Sequence, residues 1–170
     1  MKEVYLLHQY LKRRSVGCLL LLWLLSGCVP KVKKPMPVFN AAYLSRSYNQ
    51  IEQSKSLIRS GDIIFRNGND EVSEAARRMN RKDSSWSHCG IILIENDSIM
   101  VYHALGGTYN PDMKLLREPL DVFCNPKENL GFGVYRYGLD TAQFSTMQQT
   151  VYRHYRNGLR FDLFFNFETD

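Results

Sequence analysis

The sequence lacks the spacings by which metal sites usually announce themselves. No HxH, HExxH or CxxC pattern occurs in its 170 residues, so a zinc site of ordinary ligand spacing is not encoded. Four cysteines are too few to staple a chain of this length as a disulfide scaffold. Positive charge is scarce once its position is considered. The net charge is +5, and Lys2, Lys12, Arg13 and Arg14 against Glu3 hold most of that excess near the N-terminus. What remains gives no basic face for nucleic acid. The longest strongly apolar run, Val16 to Leu25, is well short of the ~20 residues that span a bilayer. Internal repeats and low-complexity tracts are absent as well. The rest is ordinary globular composition, 44% hydrophobic and 23% charged, enough for one domain with a real core.

The N-terminal region reads as targeting rather than fold. A basic stretch ends at Lys12-Arg13-Arg14, the short apolar run follows, and Leu25-Ser26-Gly27-Cys28 closes it. This order resembles the bacterial lipobox, whose small residues suit a signal peptidase groove. The resemblance implies cleavage after residue 27 and a diacylglyceryl anchor on Cys28. An uncleaved anchor helix, or a plain secretory signal, is the alternative. Val29 stands where inner-membrane lipoproteins usually carry Asp, so the expected place is the outer membrane, facing the periplasm. Residues 28–39, with three prolines and three lysines in Val29 to Pro37, form a tether that cannot build a core. The domain is expected over 40–170. Cys18 leaves with the leader, and Cys89 and Cys124 remain in an oxidising compartment, where they could pair. Cys89 sits in an apolar run and reads as an ordinary buried thiol.

Along the domain, Asn40 caps a helix expected from Ala41 to about Arg59, with Leu44, Tyr48, Ile51 and Ile58 on one face. Gly61-Asp62-Ile63-Ile64-Phe65 is a short strand, and Asn67 to Asp70 a turn and cap. A second helix follows from Glu71 to Met79, with Val72, Ala75, Ala76 and Met79 at helical spacing. Leu115 to Phe123 is mixed, and Cys124-Asn125-Pro126 is a turn. Gly133 to Tyr137 is a strand, and Asp140 or Thr141 opens a third helix to about Arg156. Gly158 stops that helix. Phe161 to Phe167 is an aromatic-rich strand.

The richest stretch is Ser87-His88-Cys89-Gly90-Ile91-Ile92-Leu93-Ile94-Glu95, Asn96-Asp97, then Ser98-Ile99-Met100-Val101-Tyr102-His103-Ala104. Two β-rich runs flank a two-residue turn. That turn sets Glu95 opposite Ser98 and Gly90 opposite His103. His88 and His103 then share a face as a diagonal pair, about 7–8 Å apart at Cβ or less, and Cys89 points the other way. Two imidazoles so placed suit a general base with an orienting partner, or two ligands of a metal site whose others are distant. They suit equally two satisfied histidines with no chemistry. Trp86 reads as core or as a substrate wall. Asp62 reads as a turn cap or as a polar group near the site.

The order Gly61-Asp62-Ile63-Ile64-Phe65, helix, Ser87-His88-Cys89-Gly90-Ile91, Val101-Tyr102-His103-Ala104, helix, Gly158-Leu159-Arg160-Phe161-Asp162 resembles the circularly permuted NlpC-type papain-like cysteine hydrolases, the YiiX/YebB-like group. The resemblance spans about Ser60 to Asp170. It implies an α+β fold, an antiparallel sheet with packed helices. It implies also that His88 is the catalytic base and His103 the polar partner that orients it, where relatives often carry Glu. The family nucleophile is a Cys opening a helix after a Phe-Asp or Tyr-Asp strand. Here the chain reaches Asp170 before such a Cys, so the domain is expected to be incomplete and inactive by itself. Cys89 faces away from His88, and Cys124 has no family match. The implied substrates are peptidoglycan stem peptides or lipid-type acyl groups, with no cofactor and no nucleic acid. The competing reading is a non-catalytic envelope lipoprotein that binds a wall or lipid ligand.

Overall fold

Residues 39–162 are described by the structure, a computed structural model. The leader, Cys28 and nearly all of the tether lie outside the described residues, as does the aromatic stretch from residue 163 onward.

The sequence elements run α1 (Ala41–Lys55), β1 (Ile63–Gly68), α2 (Glu71–Met79), β2 (His88–Glu95), β3 (Ser98–Ala104), β4 (Leu115–Pro119), α3 (Leu120–Phe123), β5 (Asn129–Tyr135) and α4 (Thr141–Arg156). The five strands make one sheet in the order β4-β3-β2-β1-β5, every neighbouring pair antiparallel. The α+β class, with helices packed on an antiparallel sheet, is as the sequence implied.

The β2–β3 hairpin has the expected register, Glu95 opposite Ser98 and Ile91 opposite Tyr102. Its turn residues Asn96 and Asp97 have φ of 47° and 64°. That left-handed pair is a type I′ turn, whose twist matches the strands it joins. Asn and Asp tolerate the region because their short side chains bond locally.

Period-two alternation splits the strands between two cores. Ile64, Ile92 and Val101 pack with Ile51 of α1, Ile58, and Leu120, Phe123 and Cys124 around α3. On the other face, Leu93, Met100 and Tyr102 pack with Val151, Phe144, Met147 and Tyr152 of α4. Both faces of β2 are therefore covered at its centre, where Ile92 and Leu93 are fully buried, which suits its apolar run. Full burial of each such aliphatic side chain contributes about 1.5–3 kcal/mol.

Several expectations are corrected. Helix α1 ends at Lys55, capped by Ser56, and Ile58 enters the core from the turn beyond it. Strand β1 runs on through Arg66, Asn67 and Gly68, with a register irregularity between the last two. Asn67-Gly68 thus belongs to a strand end, because pairing with β5 supplies partners that local turn chemistry could not foresee. The apolar set of α2 is not a core face: no residue of this helix is buried, and Val72 is 79% exposed. The mixed segment resolves into β4 followed by the single turn of α3. The caps were legible: Asp70 accepts from Ser73 N, and Asp140 and Gln143 form a capping box at the head of α4. Of the expected final strand only its start is described. Leu159, Arg160 and Phe161 run antiparallel beside Met113 to Leu115.

Candidate functional site

The core face that carries Ile64, Ile92 and Val101 also carries a line of polar side chains. Arg66 lies two residues beyond Ile64 and directly opposite His88. His103 lies two beyond Val101, and Glu118 faces Val101 from β4. Alternation puts all four on one side of the sheet, under the Phe123 ring. His88 Nε2 is 2.9 Å from His103 Nδ1, and His103 Nε2 is 3.0 Å from Glu118 Oε2. The two imidazoles meet edge to face, with centroids 5.0 Å apart, and each also touches Phe123.

Close approach of the rings depends on Gly90, which sits between Val101 and His103 on the neighbouring strand. A Cβ there would lie 2.5 Å from Val101 Cγ1 and 3.3 Å from His103 Cβ. Only a residue without a side chain lets the two strands present both histidines at this spacing.

The polarity of the chain follows from its outer end. The hydrogen bond from His103 holds the Glu118 carboxyl below its ordinary range, against the opposing effect of burial. An ionised carboxylate only accepts, so His103 Nε2 carries a proton. In the neutral pair His103 Nδ1 is then an acceptor and His88 Nε2–H donates to it. His88 Nδ1 is left with a bare lone pair. It has no partner among the described residues, and no buried side-chain nitrogen or oxygen among them lacks one, so this atom reaches the surface. Protonating His103 would reverse the inner bond and turn His88 Nδ1–H into a donor. Chemically, such an arrangement can serve as a base with a fixed tautomer and a route for charge away from it.

His88 is held neutral. Burial, then the nearby Arg66 charge, then His103 lower its pKa from 6.5 to about 3. Burial likewise pulls the Arg66 guanidinium down, against Glu118 and Glu128, without discharging it.

The other expected site residues lie elsewhere. Trp86 packs on the opposite face, against Phe65 and Tyr135, with its ring over Gly133, where a Cβ would come within 2.8 Å. It walls no space near His88. Asp62 is 1% exposed and is bound from two sides. Arg136 grips both its oxygens at 2.7 Å, and the Arg59 amide donates at 2.8 Å. Burial pushes this carboxyl up, but the Arg136 and Arg59 hydrogen bonds outweigh it and the net shift is downward. Asp62 lies four residues along the strand from Arg66, roughly 13 Å at the usual rise. Its role is to fasten the turn before β1 to the chain leaving β5.

Neither described thiol meets His88. Cys89 projects from the far face and is exposed, not buried as the apolar run suggested. Cys124 is buried at the end of α3, and burial pushes its thiol up to about 12. A thiol so disposed is neither ionised nor accessible. Among the described residues no group of three or more His, Cys, Asp or Glu side chains is placed to hold a metal ion. Three of the four imidazole nitrogens of His88 and His103 are spent on one another or on Glu118.

Two members of the line were not picked out from the sequence. Arg66 fell just outside the expected strand, which was ended three residues early. Glu118 lies in the segment read as mixed. Its only sequence signal is the alternation Leu116, Glu118 against Leu115, Arg117, Pro119.

No protein-family model matches the chain, and no curated protein matches it. A solved structure similar to it is the crystal structure of metalloprotein yiiX from Escherichia coli O157:H7, at 24% identity and a TM-score of 0.47. The similarity covers 61% of this chain and 53% of that one, so the chain spans about half the length of that protein.

Proposed function

We propose that this domain is a YiiX-like, papain-like hydrolase domain of the cell envelope, with His88 as general base, His103 as its orienting partner and Glu118 as the outer acceptor. The observation that carries the reading is the line His88–His103–Glu118, which leaves one imidazole nitrogen bare at the surface. The reaction is acyl transfer. His88 Nδ1 takes the proton of a thiol, and the thiolate attacks an amide or ester carbonyl. The tetrahedral intermediate collapses by expelling the amine or alcohol, which receives that proton. Water then releases the acyl group from sulfur. A thiolate facing His88 raises the imidazole pKa by opposite charge, so the weak base of the isolated line becomes effective when its partner is present. The substrates are peptidoglycan stem peptides or lipid-type acyl groups. The domain is carried on a diacylglyceryl anchor at Cys28, in the outer membrane and facing the periplasm.

The nucleophile is not among residues 39–162, so the test supplies one. The chain is incubated with muropeptides and p-nitrophenyl acyl esters, with and without 2-mercaptoethanol. Acyl transfer to the thiol, faster than with free thiol alone and lost in His88→Gln, is expected. Turnover without thiol, or turnover indifferent to His88→Gln, sinks the reading. For the anchor, labelling by radioactive palmitate that disappears in Cys28→Ala is expected.

One observation favours a non-catalytic alternative, an envelope lipoprotein that binds a wall or lipid ligand: neither described thiol meets His88. Retention of sacculi or lipid by the chain, unaffected by His88→Gln and without any thiol-dependent transfer, would select it.

A further inference from the structure

Arg66 is a half-buried guanidinium with almost nothing to neutralise it. Among the described residues no carboxylate comes within ion-pair distance. Glu118, the acidic side chain sharing its face, is engaged with His103. Glu118, then Glu128 and Asp70, act on Arg66 through space without an ion pair. One of its five N–H groups is used, from Nη1 to the Phe123 carbonyl at 3.1 Å, and its Cζ lies over the Phe123 ring, 4.7 Å from the centroid. The carbonyl does not need it, since Asn129 Nδ2 already donates there at 3.2 Å. No buried donor of this side chain is left unpartnered, so the unused N–H groups open to solvent. A partly desolvated charge without an ion-paired partner is expensive for a fold to keep, and an apolar side chain of similar size would serve packing as well. The free fork lies on the strand position directly opposite His88, with Cβ atoms about 4.5–5.5 Å apart for such a pair, beside His88 Nδ1, the nitrogen of the histidine pair that has no partner among the described residues.

We infer that Arg66 and His88 together form a binding site for an anionic oxygen group, a carboxylate or a phosphate, on the molecule that docks at this face. Arg66 supplies two parallel N–H donors, the geometry that matches such groups bidentately. His88 supplies its exposed Nδ1, which donates when the ring is protonated. The coupling between them has a sign. Bound negative charge offsets the Arg66 field on His88, so the anion raises the imidazole pKa and binds more tightly as the pH falls. Phe123 orients the fork and closes the dry side. As a statement about substrate, that the acyl group or its leaving group carries an anion, the inference rests on the acyl-transfer reading. As a binding site it is read without turnover, so either can fail alone.

The test is a nuclear magnetic resonance titration of the isotope-labelled chain with N-acetylglycine as the carboxylate probe and glycerol 1-phosphate as the phosphate probe. Saturable shifts at Arg66 Nε–H and the His88 ring are expected with at least one probe, and the tighter probe identifies the source of the anion. The His88 titration midpoint should move up in its presence. Arg66→Met, which keeps contact with Phe123, should weaken binding at least tenfold. Arg66→Lys, which keeps the charge without the fork, should fall between the two. Arg66→Lys also serves if the Met variant does not fold. No saturable shift with either probe overturns the inference. So does affinity unchanged in the folded Arg66 variants, or shifts that map away from Arg66 and His88.

Discussion

Lowering the pH should destabilise this domain through one histidine before its carboxylates respond. The pKa of His88 falls from 6.5 to about 3 on folding, because burial and Arg66 oppose its charged form. The unfolded chain therefore binds the proton more readily than the folded one. Stability is full above 6.5 and declines as the pH drops from 6.5 towards 3. At roughly 1.4 kcal/mol per pKa unit, His88 alone removes about 2 kcal/mol by pH 5 and about 3 kcal/mol by pH 4. The carboxyls of Asp62, Asp70, Glu95 and Glu118 are all held below their ordinary values of 3.8 or 4.5. Their losses have the same sign but fall below the window between 6.5 and 5, which belongs to His88. Urea unfolding followed by circular dichroism at pH 7, 6, 5.5 and 5 measures the slope. His88→Asn should flatten it, while its stability at pH 7 drops because the bond to His103 is lost. A stability that does not change between pH 7 and 5, or a slope kept intact in His88→Asn, would refute a neutral, desolvated His88.

Two glycines should behave oppositely. Gly90→Ala pushes a Cβ to 2.5 Å from Val101 Cγ1 and 3.1 Å from the Tyr102 carbonyl, and should destabilise by about 1–3 kcal/mol while forcing the two histidines apart. Gly131 has nothing within 4 Å of the same added carbon, and Gly131→Ala should be neutral or stabilise by up to ~1 kcal/mol. Thermal unfolding of the two variants side by side decides it, and equal midpoints would contradict the packing. The two described thiols should also separate. Cys89, exposed though partial burial pushes its thiol up, should react with a thiol-specific reagent such as dithionitrobenzoate in the folded chain. Cys124 should react only on unfolding, and fast labelling of Cys124 in the native chain would mean that its burial is wrong.

How much of the site was legible depended on how local its causes are. The His88–His103 pairing was, because a two-residue turn fixes the register of both strands and alternation does the rest. Caps at Asn40, Asp70 and Asp140 were legible for the same reason: each acts on the next three residues. Trp86 was read as core or as a wall, and nothing local could decide between the two faces of the sheet. The packing of Phe65, Gly133 and Tyr135 around it decided.

Glu118 marks the boundary most clearly. Its place at the end of the histidine line depends on how β4 registers against β3. That register is set across the loop between them, where Asn110 is buried and donates to the carbonyls of Leu105 and Lys114. Met113 there takes a left-handed φ of 53°. A one-residue slip in that loop would send Glu118 to the other face and leave His103 without an acceptor. The sequence by itself determined a hairpin with two histidines on one side. Tertiary packing decided that a carboxylate would close the line and that an unpaired guanidinium would stand beside it. The reason is that both come from strands whose register is fixed by distant contacts and not by their own residues.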